Sequence, residues 1–291
     1  PNVPCFHRLQ ESFHRLAFAF ALSVSCPLVG ETPVTSFRPR TLLGGEYWWH
    51  PPTDDYLDYL ARVKPDLIHG GVLGPELASC VHGKGTLKAI TPICPANAET
   101  MTAYHAWWRD YLLRIHPLGI KVQATFSLIA LWGDHEQNTG WFRYYNDLWE
   151  ENLLGPRPAP RSESFLETDA DGRLLTKPSS GWRLYRGCVN NPLWRATLKS
   201  MVRAGIETGF DGFMVQFPHW RGGCACSHCQ KAFREFLRAR CTPAELAAMG
   251  IQDLDRHPFS TTAPRPGMTN RIDLLAREFA AVSIKDCLDD V

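Results

Sequence analysis

Apolar strand-like segments alternate with amphipathic helix-like segments along this chain, and this alternation limits its fold more than any other feature. The segments that read as strands are residues 41–49, 65–71, 120–129 and 211–217. Helical patterns lie between them, over residues 53–63, 101–116 and 192–208. Strands separated by helices in this way form a parallel sheet with right-handed crossovers. Continuously apolar strands also indicate that both faces of the sheet are buried.

Local signals mark where the predicted helices begin. Thr100 and the Asn190-Asn191 pair are N-caps, and Pro192 follows the second of them at the first helical position. Thr242 begins a capping box for a short helix. The apolar stripe of the helix after Pro192 is predicted to consist of Leu198, Met201, Val202 and Ile206. Residues 137–185 show no such period and are predicted to be loop-like, with a turn at residues 169–172.

Two architectures fit this order of elements, an open doubly wound sheet and a closed (β/α)8 barrel. No glycine-rich phosphate loop follows the first strand, which argues against a nucleotide-binding sheet. A barrel needs eight strand–helix units, and about half of them are recognisable here, with no strand after the last helical pattern at residues 271–288. We therefore predict an α/β fold of the (β/α)8 TIM-barrel type, of which this chain supplies the first half to two-thirds.

The charge balance excludes one class of partner. The chain has 31 basic and 30 acidic residues, a net charge of +1 and no Lys/Arg cluster, so it lacks the electrostatic footprint of a nucleic-acid-binding surface. The apolar run at residues 16–24 is too short to span a bilayer, so no membrane span is predicted. The sequence leaves the oligomeric state open.

The N-terminal residues have the pattern of an export signal. A basic flank precedes the apolar run, and Ser23 and Ser25 supply a small-x-small cleavage pattern before Cys26. We predict that residues 1–30 are a signal peptide and that residues 31–291 form one partial barrel domain. The protein would then be secreted or periplasmic, with lipid anchoring through Cys26 as a variant. The alternative is a buried N-terminal helix in a cytoplasmic protein.

Polar and aromatic residues follow the predicted strands, where barrel enzymes place their function. The chain is rich in tryptophan, with 10 residues, and Trp is costly to bury completely because its N–H needs a partner. Exposed Trp faces beside polar groups suit a pyranose, which has an apolar C–H face and a rim of hydroxyls, so we expect a carbohydrate ligand. The predicted substrate-binding residues are Trp48, Trp49, His69, Trp132, Gln216, His219 and Trp220.

The strongest local motif is Cys224-x-Cys226-x-x-Cys229. Thiolates at this spacing can wrap one Zn²⁺, which takes four tetrahedral ligands. The fourth ligand would come from elsewhere, and Cys188 or Cys94 could supply it. Such an all-thiolate site is structural rather than catalytic. The alternative is a disulfide plus a free thiol, which is more plausible in an exported chain.

Residues 186–240 resemble the barrel of glycoside hydrolases related to glycoside hydrolase family 42, the β-galactosidases. The shared features are a Cys-x-Cys-x-x-Cys zinc loop and a Phe-containing helix after the fourth strand, a partial Cys-x-Asn-x-Pro motif, and a glycine turn with Asp-Gly at the strand start. The matching residues are Cys224, Cys226, Cys229, Phe233, Cys188, Asn191, Pro192, Gly209, Asp211 and Gly212. The resemblance extends over roughly residues 40–290 and is specific over residues 186–240.

The resemblance implies a glycoside hydrolase, with β-galactoside-like substrates, that uses a pair of carboxylates. Relatives place an acid near the end of the fourth strand, where this chain has Gln216, and their nucleophile would come from a later strand, beyond residue 291. Glu46, Asp134 and Glu136 are therefore only positional candidates for catalysis. The alternative function is a barrel that binds carbohydrate without cleaving it, because an amide cannot act as a general acid.

Overall fold

Two four-stranded sheets organise the part of the chain that the structure, a computed structural model, describes. The described residues are 39–43, 54–81, 100–179, 182–216, 223–259 and 269–291. The strands of the first sheet are β1 (Leu42–Leu43), β2 (Leu67–Leu73), β3 (Lys121–Ser127) and β8 (Gly212–Gln216). The strands of the second sheet are β4 (Ala130–Asp134), β5 (Thr139–Gly140), β6 (Thr176–Ser179) and β7 (Trp182–Arg186).

The helices connect these strands or extend the fold towards its C-terminus. They are α1 (Asp54–Val63), α2 (Pro75–Val81), α3 (Met101–Ile115), α4 (Trp141–Asp147), α5 (Glu151–Leu154), α6 (Pro192–Thr208), α7 (Ser227–Arg240), α8 (Pro243–Ala248) and α9 (Arg271–Asp290). Single 3₁₀ turns occupy His116–Leu118 and Ser162–Phe165. Within the described residues, no helix combines the length and the apolar character that a bilayer crossing requires.

The first sheet is parallel throughout, in the order β1-β2-β3-β8. This order follows the chain without reversal, whereas a doubly wound sheet reverses at a switch point. Helix α1 packs against α3, and α3 packs against α6, so the crossover helices share one face of the sheet. The predicted α/β class is confirmed, whereas the (β/α)8 barrel stays a prediction. The sheet does not close within the described residues, where β1 and β8 form its two edges.

The two faces of the parallel sheet differ in chemistry. Phe213 points towards the helices, because a Cβ on Gly205 of α6 would lie 2.8 Å from its ring. Alternation along β8 therefore places Met214 and Gln216 on the opposite face, where Met214 is 36% exposed. Thr125, the β3 neighbour of Met214, lies on that face as well. The sheet is thus apolar towards the helices and carries polar side chains on its other face.

The prediction that residues 137–185 are loop-like was wrong. This segment contains α4, α5, β6 and β7, and the predicted exit of the third strand is itself a strand, β4, in an antiparallel sheet with the order β5-β4-β7-β6. Helix α4 is only seven residues long, and its buried face consists of four aromatic residues. These residues are Trp141, Phe142, Tyr144 and Tyr145. The predicted turn at residues 169–172 is present, since Asp169 Oδ1 accepts hydrogen bonds from Asp171 N–H and Arg173 N–H.

The predicted caps of the helices are confirmed, but one stripe position was wrong. Thr100, Asn191 and Thr242 each cap their helix through a side-chain oxygen. Ile206, predicted to be part of the α6 stripe, is 60% exposed. The buried face of α6 instead runs through Ala204 and Gly205, whose missing side chain admits Phe213.

One buried aromatic contact joins the two sheets. The Trp194 indole of α6 donates a hydrogen bond to Leu128 O (3.2 Å), in the short link between β3 and β4. Its ring also lies over Gly187, directly after β7, so closely that a Cβ there would be 2.0 Å from the indole. Trp194 therefore fixes both the point where the chain enters the second sheet and the point where it leaves.

We predict that Gly187→Ala lowers the free energy of unfolding by about 2–3 kcal/mol, because the added methyl group overlaps a buried ring that cannot move freely. Urea unfolding followed by Trp fluorescence measures this change. Gly212→Ala is the matched control, since a Cβ at Gly212 meets no atom within 4 Å. Equal stability of the two variants would contradict the tight seat of Trp194.

Candidate functional site

The antiparallel sheet is attached to the carboxyl edge of the parallel sheet. Only two residues separate β3 from β4. Leu128 N–H donates to Gln216 O (3.2 Å) at the end of β8, and Gly187 N–H donates to Ile129 O (2.9 Å). The side chains of the second sheet therefore lie beside the strand ends where barrel proteins place their ligands.

One face of the second sheet combines an aromatic, an acidic and a basic side chain. In β4 the alternation places Trp132 and Asp134 on the same face, and Arg186 of β7 joins them because it pairs with Ala130. The opposite face carries Tyr185, which packs edge-on against Phe142 of α4 at 4.7 Å, and Arg183, which pairs with Gly133. We call the group of Trp132, Asp134 and Arg186 the polar face.

A buried carboxylate holds Arg186 in place. Glu167 is fully buried, and its Oε2 lies 2.9 Å from Arg186 Nε. A carboxylate removed from water needs such a cation, because its desolvation is otherwise uncompensated. The Arg186 side chain is 29% exposed, so part of its guanidinium reaches solvent beside Trp132. This geometry presents a fixed hydrogen-bond donor next to a half-buried aromatic ring.

The two described catalytic candidates, Asp134 and Glu136, lie at the hairpin between β4 and β5. Asp134 Oδ1 accepts a hydrogen bond from Gln137 N–H (2.9 Å), and its Oδ2 lies 3.5 Å from Arg183 Nε. Glu136 is 75% exposed and 3.9 Å from Arg183 Nη1. Both carboxylates thus have Arg183 as a cationic neighbour. Their catalytic role stays a prediction.

His69 and Gln216 lie on the parallel sheet itself. His69 is buried in β2, its Nε2 is 2.7 Å from Thr125 Oγ1, and burial lowers its pKa, so the ring is neutral at pH 7. Its Nδ1 is buried and makes no hydrogen bond within the described residues. Gln216 ends β8 and is half-buried opposite Ser127. Sugar binding by either residue stays a prediction.

Several predicted features lie outside the described residues. They are Glu46, Trp48, Trp49, His219, Trp220, Cys94 and the export signal at residues 1–30. Asp211, by contrast, is described and lies directly before β8. Its Oδ2 accepts a hydrogen bond from Val122 N–H (2.9 Å), and its Oδ1 accepts one from Lys121 Nζ (2.7 Å), at the amino end of the sheet.

Sequence reasoning missed Glu76, an acid in the first turn of α2, immediately after β2. Its Oε2 is buried without a hydrogen-bond partner within the described residues, and burial raises its pKa to about 7. The sequence reading ended the second strand at Gly71, whereas β2 extends to Leu73. Because β2 ends at Leu73, Glu76 follows the end of the strand closely. A prediction that extended the strand to Leu73 would have identified Glu76 as a candidate.

Four cysteines meet beside α7. The Sγ atoms of Cys188, Cys224, Cys226 and Cys229 all lie within 4.8 Å of one another. Cys188 Sγ is 3.3 Å from Cys229 Sγ and 3.6 Å from Cys226 Sγ. All four are free thiols here, so none of them forms the disulfide that the sequence left open. Hydrogen bonds from the other thiols, Cys188 first, lower the pKa of the Cys226 thiol, so the cluster favours a thiolate.

The sulfur geometry fits a tetrahedral metal. Zn–S bonds of about 2.3 Å place tetrahedral sulfurs about 3.8 Å apart, close to the separations seen here. Of the two fourth ligands considered from the sequence, Cys188 is in place. Asn190 Nδ2 also donates to Cys229 Sγ at 3.4 Å, an outer contact of the kind that orients metal ligands.

No protein family matches the sequence, and no curated protein is similar to it. Similar solved structures include an α-galactosidase from Thermus thermophilus, with 16% identity over 62% of this chain and 31% of that one, and a TM-score of 0.39. A maltogenic α-amylase from Thermotoga neapolitana is 14% identical over 70% of this chain and 42% of that one, with a TM-score of 0.37. A trehalose-6-phosphate hydrolase from Bacillus licheniformis is 15% identical over 63% of this chain and 34% of that one, with a TM-score of 0.34.

This chain thus spans 31–42% of the length of these glycoside hydrolases. At such identities and TM-scores, the likeness assigns neither a fold nor an activity to it. The resemblance to glycoside hydrolase family 42 stays a prediction.

We predict that Arg186→Met lowers the free energy of unfolding by about 3 kcal/mol, because it leaves the buried Glu167 without its guanidinium. The matched control is Arg183→Met in the same strand, whose ion pairs with Asp134 and Glu136 lie nearer to solvent. That control should change the value by less than about 1 kcal/mol. Urea unfolding at pH 7 compares the two variants, and a larger effect at Arg183 would contradict the assignment.

Proposed function

We propose that the chain is a carbohydrate-active domain, a glycoside hydrolase whose substrate lies against the polar face. The observation that carries this proposal is the common placement of Trp132, Asp134 and Arg186 on one face of the second sheet. An indole can cover the apolar side of a pyranose, and a guanidinium can donate to its hydroxyls. A carboxylate beside them could supply acid–base or nucleophilic chemistry.

We also propose that the fold is a (β/α)8 barrel and that this chain forms its first strands. Its support is the unreversed strand order with the crossover helices on one face. In a barrel, the face that carries His69, Thr125 and Gln216 would be the interior. The ligand would then lie across the carboxyl edge, between that interior and the polar face.

We predict that Trp132→Ala raises the KM for a cleaved glycoside at least about 10-fold, which corresponds to about 1.4 kcal/mol of lost ring contact. The substrates are 4-nitrophenyl α- and β-galactosides and glucosides, and release of 4-nitrophenol measures turnover. Trp107→Ala is the control, since Trp107 is a half-buried tryptophan of α3 that stacks on Tyr111. Equal effects at both positions would contradict a sugar platform at Trp132.

A second candidate function is carbohydrate binding without cleavage. Gln216 favours it, because an amide stands at the end of β8 and cannot transfer a proton as an acid does. This alternative predicts calorimetric binding of galactose- or glucose-containing oligosaccharides and no release of 4-nitrophenol from any of the glycosides. Turnover by the wild-type chain that depends on Trp132 rejects it.

We also propose that Cys188, Cys224, Cys226 and Cys229 hold a structural Zn²⁺. The support is the approach of the four sulfurs, the absence of a disulfide among them and the outer contact from Asn190. Four thiolates complete the coordination sphere, which leaves no open position for a reacting group. The ion would join the start of α6 to the start of α7, and its role would be stability rather than chemistry.

We predict about one equivalent of zinc per chain by elemental mass spectrometry, and a marked fall in Tm after treatment with a strong chelator. Cys226→Ser should lose most of the metal, because its hydroxyl is a poor zinc ligand. Cys241→Ser is the control, since Cys241 is a free cysteine outside the cluster. A metal-free wild type whose Tm is insensitive to chelator would contradict the site.

A further inference from the structure

Glu76 is fixed at the carboxyl edge by the turn that ends β2. Gly74 has φ +73°, a left-handed conformation that favours glycine, and a Cβ there would lie 2.6 Å from the Phe126 ring. Pro75 follows as the first residue of α2, where its missing N–H costs no hydrogen bond. The chain therefore turns sharply after β2 and places Glu76 in the first helical turn at the strand end.

The helix face that carries Glu76 is turned towards the second sheet. Helix α2 packs against β4 and β5. Ser79 Oγ accepts a hydrogen bond from Trp132 N–H (3.1 Å) and donates one to Pro75 O (2.7 Å). Residues three apart lie on one face of a helix, about 5–6 Å from each other, so Glu76 lies beside Ser79 on the side that contacts β4. Its carboxyl group is therefore close to the strand that carries Trp132.

The surroundings of Glu76 favour its protonated form. Its Oε2 is buried and accepts no hydrogen bond within the described residues, and burial alone raises its pKa to about 7. Glu163, near the second sheet, differs, because burial raises its pKa but a hydrogen bond from Arg161 Nη2 (2.8 Å) outweighs it and lowers the pKa of that carboxyl. An adjacent guanidinium keeps a carboxylate charged and unable to donate a proton. Within the described residues no such guanidinium contacts Glu76, which is therefore suited to donating a proton.

We propose that Glu76 is the proton donor that cleaves the glycosidic bond, the role that Gln216 cannot fill. This inference rests on the proposed glycoside hydrolase function. The Glu76 O–H would protonate the glycosidic oxygen while the bond from that oxygen to the anomeric carbon breaks, which releases the leaving group as an alcohol. A second carboxylate, such as Asp134, would form the new bond to the anomeric carbon. Water would then attack that carbon, the bond to the second carboxylate would break, and the Glu76 carboxylate would take the proton that the water loses.

The experiment compares substrates that need an acid with substrates that do not. Phenol is a poor leaving group and needs protonation, whereas 2,4-dinitrophenol leaves without it. Glu76→Gln should therefore lower kcat/KM for phenyl galactosides or glucosides about 10²–10⁴-fold, and by less than about 10-fold for the matching 2,4-dinitrophenyl glycosides. A residue with a merely structural role would lower both rates by the same factor.

Glu151→Gln is the matched control, since Glu151 is an exposed acid in the first turn of another short helix, α5. It should leave both rates within about 2-fold of wild type. Glu76→Asp retains a carboxylic acid in a shorter side chain, so it should recover part of the lost activity on phenyl glycosides. Thermal unfolding of each variant, together with this partial rescue, separates lost chemistry from lost folding.

Three results would overturn the role of Glu76. Equal losses on the two classes of substrate, or unchanged rates for Glu76→Gln, would reject it while leaving the proposed glycoside hydrolase function in place. A wild-type chain that cleaves no glycoside, including the 2,4-dinitrophenyl substrates, would reject both. A selective loss on phenyl glycosides with partial rescue by Glu76→Asp would establish the assignment.

Discussion

The contact between the Trp194 indole and the backbone at Gly187 determines how the rest of the structure is arranged. On one side the indole hydrogen-bonds to Leu128, where the chain leaves the parallel sheet, and on the other it lies over the residue where the chain returns. The antiparallel sheet is therefore held at the carboxyl edge at both of its ends. Cys188 follows Gly187 directly, so the same contact also sets the position of the cysteine cluster.

The candidate site is built from elements attached to the parallel sheet rather than from the parallel strands themselves. Trp132 and Arg186 belong to the second sheet, and Glu76 belongs to the helix that follows β2. Each has its own support: Ser79 binds the backbone of Trp132, Glu167 orients Arg186, and the Gly74 turn directs Glu76. A ligand at this edge would contact groups that differ in charge and in proton affinity, an arrangement suited to acid–base chemistry.

The sequence predicted those features that depend on local chemistry. The caps at Thr100, Asn191 and Thr242 and the parallel strands all follow from short-range signals. The second sheet could not be predicted, because its strands have only two to five residues and α4 has only seven. The position of Cys188 beside the cysteine loop and the raised pKa of Glu76 depend on tertiary proximity and burial, which no sequence pattern encodes.

The cysteine cluster has a consequence for the order in which the chain folds. Cys188 lies before α6 and Cys226 after β8, 38 residues apart in sequence, yet their sulfurs are 3.6 Å apart. Joining these two points makes a ring that contains one complete helix–strand unit. Formation of the ring already includes the loss of chain entropy that brings its two ends together. Strand β8 would then reach β3 as part of a preassembled unit.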